Sequence, residues 1–568
     1  MILKALYDYY NRSAELAPMG FEKKEIYFII VIDENGNFIQ IDDTRDGKTP
    51  KSYLVPRAVT RTVAILPNLL WDNLEYVLAL PKDDKAISIN KAQEKNNAFV
   101  ERCKLLLEKM PAVPEIKAIV SFYDKGIHQV ETANNWKDVL KERTRNVTFQ
   151  IIHSFTIVPL LDAVNEYIKD IQSDKDLERQ SYCLVTGKKG TPVRLTTSTS
   201  IPGSQATATL VAFQKSSGYD SYGKEQCANA PISEEAEAAY VTAIKQLTSK
   251  DSRNKHLISN RTFLFWASGN DKLSKDIEKD FFSFLNKPMD NPNNNLAVVK
   301  DFLKSVWSGA IQSSSEDKFY VLGLAPNAAR IAVVYWNECT IKEFAGKILD
   351  HFNDMEIIDT RNDEKPYMGI YSMLSAVTLG GMVSDALPNL SEAVMKSIVQ
   401  GLAYPFSLYS SCIRRIRAEL CEKTCFSISR IAIIKAYLNR LNSNQKKIEV
   451  MLDKENTNSG YLCGRLFALL DKIQEDANGI HTMRERYMSA ASATPATVFS
   501  TLMNLSSHHA EKLPEGRKIM YEKMNQEIIN KLSSDGFPAH LDLHDQGRFF
   551  VGFYHQRQDF FIKKEEKE

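Results

Sequence analysis

The chain has few of the features that mark an enzyme, a secreted protein or a membrane protein. Its eight cysteines include no Cys-x-x-Cys pair, and it holds no His-Glu-x-x-His motif. The run GYDSYG, residues 218–223, misses the Gly-x-Ser-x-Gly spacing of a nucleophile elbow. No uninterrupted apolar run reaches the length of a membrane span, and the first residues, MILKALYDYYNR, are too charged for a secretory signal. We expect reduced thiols, no metal, no cofactor, no membrane partner and a cytoplasmic location.

Net charge is also close to absent, since 72 lysines and arginines face 71 aspartates and glutamates. A net charge of +1 neither favours nor excludes a nucleic-acid partner, because partners respond to local patches. At 568 residues the chain is too long for one core, and its length predicts two to four domains.

Apolar patterning predicts an α+β protein. In the first part we expect a hairpin of Ile26–Ile32 with Phe38–Ile41, and a long helix over Lys91–Met110. Further strands are predicted at Ile116–Phe122, Thr262–Trp266, Phe319–Ala325 and Ile331–Trp336. Beyond Trp336, apolar spacings of three and four predict packed helices at Ser391–Gly401, Leu408–Leu420, Ile428–Leu441, Leu462–Glu475, Pro495–Ser506 and Gly516–Lys531. The predicted domains are a mixed N-terminal domain (1–345), a helical basic segment (346–450) and a helical bundle (451–568).

A polar loop of unusual length lies in the run Gln205–Tyr240. Ala206–Phe213 is uncharged and predicts a buried strand, and Ser233 is placed to cap a helix that follows. Tyrosine rings can stack on bases, while lysine, serine and amide groups can contact phosphates. The loop's candidate nucleic-acid contacts are Lys215, Tyr219, Ser221, Tyr222, Lys224, Gln226 and Asn229. The alternative is an ordered loop with both tyrosines packed onto the body of the protein.

Three further groups are candidates for nucleic-acid binding. The first surrounds Trp71 and comprises Arg57, Arg61, Asn68 and Asn73, although Trp71 could equally be core and the asparagines turn formers. The second is Lys188 and Lys189, on a turn that lacks Walker spacing and could simply be solvated. The third is basic: Ser411–Arg440 has seven basic residues against two acidic ones, an excess of +5. Its members are Arg414, Arg415, Arg417 and Arg430, joined downstream by Arg484, Arg486 and Arg557; a solvated helix face is the alternative.

Several long motifs together resemble one family. They are LVPRAV, PNLLWDNLEYVL, CLVTG, SYGKEQCANAPISEEAEAAY, FWAS, FYVLGLAPNAARIAV, GRLFALLDKIQEDA, RYMSAASATPATVF and FPAHLDLHDQGRFFVGFYHQRQDF. These motifs are similar to those of the large subunit of the type I-C CRISPR Cascade complex, and they extend from end to end. The lysine-rich turn after CLVTG and the Ser/Thr string Thr196–Ile201 depart from the family pattern.

The resemblance implies a non-catalytic subunit of an RNA-guided surveillance complex. Its partners would be crRNA, target double-stranded DNA, the backbone, handle-binding and small subunits of Cascade, and a recruited helicase-nuclease. It would read a protospacer-adjacent motif, for which the resemblance suggests 5′-TTC, promote duplex opening and R-loop formation, and help to hold the displaced strand. The alternatives are a nucleic-acid-processing enzyme and a purely structural scaffold subunit.

The family also makes a small subunit by internal initiation, and Met451 is our candidate start. Starting there leaves 568 minus 450, or 118 residues. The polar stretches on either side of Met451 predict that few packed contacts cross this junction.

Overall fold

The computed structural model describes residues 2–13, 16–59, 61, 64–173, 180–215, 218, 220–285, 301, 303–309, 317–360, 369–420, 426–441 and 446–562. Contacts within the chain define two compact units. Unit 1 comprises residues 1–199 and 209–246, and unit 2 comprises residues 200–208 and 247–568.

Unit 1 is built on a four-stranded sheet. The described strands of unit 1 are β1 (Phe21–Glu25), β2 (Phe28–Ile32), β3 (Phe38–Asp43), β4 (Ser52–Pro56), β5 (Trp71–Asn73), β6 (Asn146–Ile151), β7 (Ser181–Tyr182) and β8 (Lys189–Gly190). The sheet order is β3-β2-β6-β5, with β2 and β6 parallel, while β1 pairs with β4 and β7 with β8. The predicted hairpin is confirmed as the antiparallel pair of β2 and β3. Because β2 is buried along its whole length, it forms the centre of the unit.

Helices cover this sheet. They are α1 (Ile2–Arg12), α2 (Leu74–Leu78), α3 (Ala86–Lys109), α4 (Pro114–Asp124), α5 (Trp136–Val139), α6 (Asp162–Ser173) and α7 (Glu234–Thr248). The long predicted helix is confirmed as α3, and the Ser233 hydroxyl accepts the Ala236 N–H at the start of α7.

Two predicted strands are wrong. Residues 116–122 belong to α4, because Ile116, Ile119 and Phe122 recur at a spacing of three and are buried on one face of a helix. Residues 206–213, all of which the structure describes, form no strand. Their backbone is held by loop contacts instead; for example, the Leu210 N–H donates to the Thr199 hydroxyl at 2.8 Å.

Unit 2 combines an antiparallel sheet with a helical region, which confirms the predicted α+β class. Its described strands are β9 (Lys255–Ile258), β10 (Arg261–Ala267), β11 (Lys318–Asn327) and β12 (Arg330–Thr340), in the order β12-β11-β10-β9. Three of these strands match the predicted ones, because long uncharged runs rich in β-branched and aromatic residues favour buried strands.

The helices of unit 2 share one apolar core with its sheet. Its described helices include α8 (Lys272–Leu285), α9 (Ile341–Met355), α10 (Ile370–Ser375), α11 (Pro388–Gln400), α12 (Phe406–Ala418), α13 (Ile428–Arg440), α14 (Ser459–Asn478), α15 (Thr482–Ala491), α16 (Pro495–Ala510), α17 (Glu515–Ile529) and α18 (Leu543–Asp559). The six helices predicted beyond Trp336 are confirmed, as α11, α12, α13, α14, α16 and α17. Among the described helices, none is long and apolar enough to cross a bilayer.

The predicted domain boundaries after residues 345 and 450 both fall inside unit 2. Contacts cross the region of Met451, contrary to our expectation. The Tyr409 hydroxyl of α12 donates to the Leu543 carbonyl of α18 at 2.6 Å, and the Tyr554 hydroxyl of α18 donates to the Ile358 carbonyl at 3.0 Å. Of the polar residues that indicated a linker, Lys446 pairs with Asp453 across the junction at 2.7 Å, and Asn458 donates to Asp545 at 3.1 Å. Met451 itself is more than half exposed, so whether it starts a separate product stays a prediction.

A buried histidine gives unit 2 a pH-dependent stability. Burial, assisted by the positive charge of Lys435, lowers the pKa of His555 to about 3, and its Nδ1 lies 2.9 Å from the Tyr461 hydroxyl. In the unfolded chain the pKa is about 6.5, so the stability that neutral His555 allows is complete above that pH and is lost as the pH falls. We expect His555→Gln to remove about 2 kcal/mol of the stability lost between pH 7 and pH 5.

Urea unfolding at pH 7 and pH 5 measures this difference. The exposed His508 supplies the control, since His508→Gln should leave the pH dependence as in the parent. Identical pH profiles for His555→Gln and the parent would contradict the assignment.

Candidate nucleic-acid interface

Asn229 organises the polar loop of unit 1. Its side-chain Nδ2 donates to the carbonyls of Lys224 and Gln226 at 3.0 and 3.1 Å, and to Asp220 Oδ1 at 3.3 Å. Its Oδ1 accepts the Ser221 N–H at 3.1 Å. Because the amide is fully used inside the loop, Asn229 shapes the loop and leaves ligand contact to other residues.

The tip of the loop presents Tyr222. Ser221 and Lys224 form an antiparallel bridge, and both intervening residues have positive φ, +53° at Tyr222 and +70° at Gly223. This is the two-residue hairpin turn for which a glycine at the second position is favoured. The Tyr222 side chain is fully exposed, so the alternative of a packed tyrosine does not apply to it. Tyr219 lies outside the described residues.

Lys224 and Lys215 are exposed on the same loop. Lys224 is one end of the tip bridge, and Lys215 pairs with Glu225 at 2.9 Å with both side chains more than half exposed. Such an exposed pair contributes little to stability, so Lys215 can exchange it for a phosphate at small cost.

Gln226 connects the loop to an arginine that our sequence analysis missed. Gln226 is buried with a positive φ, and its Oε1 accepts a hydrogen bond of 3.0 Å from Arg194 Nη1. Gln226 is therefore a positioning residue, and Arg194 is the charged group that it orients. The sequence around Arg194, which lies two residues after Pro192, forms no recognisable motif that could have identified this arginine.

Arg57 is held beside the same region by a buried carboxylate. Its Nη2 donates to Glu237 Oε2 at 2.8 Å and to the Thr197 hydroxyl at 2.6 Å. The other oxygen of Glu237 accepts the Thr197 N–H at 2.7 Å. Glu237 therefore fixes both the side chain of Arg57 and the backbone of the Ser/Thr string.

These arginines line one cavity of about 520 Å³. Arg57, Arg102 and Arg194 face it together with Glu234 and Glu237. Arg102 bonds the Pro67 carbonyl, and burial lowers its pKa. Within the part of the chain that the structure describes, neither Arg102 nor Arg194 forms an ion pair with a carboxylate. The three arginines exceed the two carboxylates by one charge, and because Arg102 and Arg194 are not paired with either carboxylate, the cavity forms a site suited to phosphate.

The remaining candidates around Trp71 have internal partners. Trp71 is buried and donates to the Pro56 carbonyl at 2.8 Å. Arg61 pairs with Asp72 and lies over the Tyr76 ring, 4.2 Å from its centre. Asn68 is buried and accepts the Val59 N–H at 3.0 Å, while Asn73 caps α2. The side chains of Arg61, Asn68 and Asn73 therefore follow the structural alternative, in which this segment forms core and turns. We leave these three residues out of the interface.

Lys188 and Lys189 are exposed where the turn enters β8, and the Lys189 ammonium lies 5.6 Å from the centre of the Tyr182 ring. The turn is anchored by Cys183, whose Sγ accepts the Ser233 N–H at 3.3 Å. Burial raises the pKa of this thiol, but hydrogen bonds from Ser233 and Thr186 outweigh it and bring the pKa to about 7. The two lysines remain available to a phosphate backbone.

Phe155 is an exposed aromatic residue that our sequence analysis missed. It stands in a turn after β6, where His153 has a φ of +67° and the Ser154 hydroxyl bonds Thr156. The ring is fully exposed. Ile157, two residues on, packs in a small apolar cluster with Val55 and Trp71, so the turn is anchored beside β4 and the residues that lead to Arg57.

The basic run of unit 2 does not form one continuous charged face. Arg430 is buried against Glu419 at 2.6 Å and the Ala376 carbonyl at 2.9 Å, and Arg415 pairs with the same Glu419. Arg417 donates to Gln546 and Ser492, and burial lowers its pKa. Arg414 is the exposed member of the four.

Downstream, Asp471 holds Arg484 at 2.8 Å and Arg557 at 3.5 Å. Arg486, on the same helix as Arg484, is exposed. Arg414 and Arg486 are therefore the candidates in unit 2 whose charge faces solvent.

Comparison with known proteins places the chain in a single family. A family model described as CRISPR-associated protein (Cas_Csd1) matches residues 6–561, nearly the whole chain. The comparison with curated proteins gave no match.

Proposed function

Because the chain belongs to the Cas_Csd1 family of CRISPR-associated proteins, the large-subunit family of type I-C Cascade, we propose that it is the non-catalytic, motif-reading subunit of that complex. In this proposal it recognises the protospacer-adjacent motif on duplex DNA, opens the duplex beside it, helps to hold the displaced strand, and recruits the helicase-nuclease. The guide reads the target sequence by base pairing, while the protein reads the short motif.

The observation that carries the proposal is the pairing of an arginine cavity with a rigid aromatic turn in unit 1. We define the motif surface as Arg57, Arg102, Arg194, Tyr222 and Lys224. The cavity offers phosphate-binding arginines, and the turn offers a tyrosine and a lysine on a backbone that Asn229 fixes. Phosphate contacts set the register of the protein on the duplex, and an exposed side chain at fixed register can then contact base edges.

Position-specific cross-linking tests this assignment. A photoreactive phenylalanine analogue at Tyr222, in the assembled complex on a labelled target, should cross-link to nucleotides in or next to the motif. The same analogue at exposed Ile87 of α3 serves as the control. A Tyr222 cross-link confined to the guide RNA or to another subunit would reject the motif surface.

We assign duplex opening to Phe155. Apolar side chains that enter between base steps unstack them, at a cost of a few kcal/mol per step. A fully exposed ring on a tight turn that is anchored next to β4 suits this role. We expect Phe155→Ala to slow R-loop formation on a closed duplex about tenfold, while Phe155→Leu, which keeps an apolar side chain, retains most of the rate.

A target whose first base pairs after the motif are mismatched separates opening from binding. On this pre-opened target Phe155→Ala should match the parent in a stopped-flow measurement of R-loop formation. Equal slowing on closed and pre-opened targets would show that Phe155 acts in some other step.

A further inference from the structure

Unit 2 contains a second cavity, of about 820 Å³, whose lining includes none of the candidate nucleic-acid contacts. It lies among the helical residues 303–308, the end of β12, α9 and the end of α11. Its lining combines one tryptophan, lysines, carboxylates and side-chain amides: Lys304, Trp307, Asn337, Glu343, Lys347, Asp350, Asn353 and Gln400.

Trp307 is fixed in position yet half-exposed. Leu303 and Val306 are buried in the core of unit 2, whereas Trp307 on the same turn is 49% exposed and faces the cavity. Its ring lies directly on α9 at Gly346, where a Cβ would come within 2.8 Å of ring atom Cζ3. The Lys342 ammonium lies 5.8 Å from the ring centre. A large aromatic surface is thus held rigidly at the wall of a cavity.

The charges around the ring favour an anion. Lys304, Lys342 and Lys347 form no ion pair within the described part of the chain. The Glu343 carboxylate accepts the Thr340 N–H at 3.0 Å in the capping box of α9, so its charge is directed at the helix N-terminus. Lys304 and Lys347 line the cavity with Glu343 and Asp350, and Lys342 beside the ring adds a third ammonium group, so the charges around Trp307 sum to one positive charge, the complement of one phosphodiester.

The amides complete the chemistry of the cavity. Gln400 Nε2 donates to Asn337 Oδ1 at 3.2 Å, which leaves the Gln400 carbonyl for a ligand, and Asn353 offers both a donor and an acceptor. Donors and acceptors at the edge of a stacking surface are the groups that contact the edges of an unpaired base.

We propose that this cavity binds one nucleotide of single-stranded nucleic acid, with its base stacked on Trp307 and its phosphate held by Lys304 and Lys347. The inference rests on the proposed function, because an RNA-guided complex that opens a duplex exposes a displaced strand. Base–aromatic stacking tolerates any base, so the site retains the strand without reading its sequence. In the complex it would hold the displaced strand while the motif surface holds the duplex.

The test uses the assembled complex and a fluorescent ten-nucleotide single strand. Fluorescence anisotropy should show Trp307→Ala binding this strand on the order of tenfold more weakly, with Trp307→Phe close to the parent. Gly346→Ala is an independent variant that keeps the tryptophan but displaces its ring, and it should lose affinity as well. Leu402→Ala, at an exposed apolar residue that does not line the cavity, should have no effect.

Each alternative occupant has a distinct outcome. Single-strand affinity that is unchanged in both Trp307→Ala and Gly346→Ala would overturn the proposal. Loss of another Cascade subunit from purified Trp307→Ala complex would overturn it in favour of a protein contact. If thymidine monophosphate displaces the strand at the same concentration at which the unlabelled ten-nucleotide strand does, the cavity binds a free nucleotide, and the proposal is overturned. Motif-dependent duplex binding, measured in parallel, should be the same in all variants. If the parent complex shows no motif-dependent binding, the proposed function is wrong, and this result is distinct from a failure of the cavity proposal.

Discussion

Replacing Gly464 with alanine is expected to destabilise unit 2 by about 3 kcal/mol or more. Gly464 lies on α14 where that helix meets the backbone of α18, and a Cβ there would overlap the Phe549 carbonyl. The contact is reciprocal, because a Cβ on Gly552 of α18 would overlap the Tyr461 carbonyl of α14. The obstruction is backbone on both sides, so no side chain can move to make room.

Urea unfolding of unit 2 measures this effect, and Gly516→Ala supplies a matched control. Gly516 also lies in a helix, α17, but a Cβ there has no atom within 4 Å. Its replacement should be neutral or stabilise by up to about 1 kcal/mol, because alanine reduces the entropy of the unfolded chain. A Gly464→Ala midpoint equal to that of Gly516→Ala would show that α14 and α18 do not meet at this distance.

The second large effect is expected at the motif surface. Removing both Arg102 and Arg194 as alanines should weaken target binding by the assembled complex about 100-fold, because each hydrogen bond to a charged phosphate contributes about 1.5–3 kcal/mol. The loss should shrink as salt rises, since two fewer phosphate contacts flatten the salt slope by about 1.8.

The control removes the same charge elsewhere in unit 1. Lys109 of α3 and Lys117 of the neighbouring α4 are exposed, and neither lines the cavity. Their double alanine variant should bind target within about twofold of the parent, as expected for long-range screening alone. Equal losses in the two double variants would mean that net charge, and not the cavity, sets affinity.

The sequence predicted backbone elements better than side-chain roles. Helices α11 to α14, α16 and α17 followed from apolar spacing because their buried faces are continuous, but α15 did not, and neither did α18. That helix is buried on nearly all sides, and its glycines at 547 and 552 are places where a neighbour approaches closely. A helix without a polar face has no amphipathic period to detect.

Amide and charged side chains were harder to place because their partners are distant or are backbone groups. Asn229, Asn68 and Asn73 have the chemistry of ligand contacts, yet each bonds the backbone of its own segment. Arg430 belongs to a basic run, but Glu419 lies close enough to pair with it in the interior. Arg102 and Arg194 are brought to one cavity from α3 and from a loop, a meeting that only the tertiary structure creates.

The measurement closest to the central claim compares two duplexes that differ only in the protospacer-adjacent motif. The assembled complex, with a matching guide, should bind the motif-bearing duplex on the order of 100-fold more tightly than the motif-free one, since each wrong base pair costs about 1–3 kcal/mol. Tyr222→Ala should reduce that ratio, whereas Arg102→Ala with Arg194→Ala should weaken binding to both duplexes and leave the ratio nearly unchanged. Equal affinity of the parent complex for the two duplexes would contradict the assignment of motif reading to this subunit.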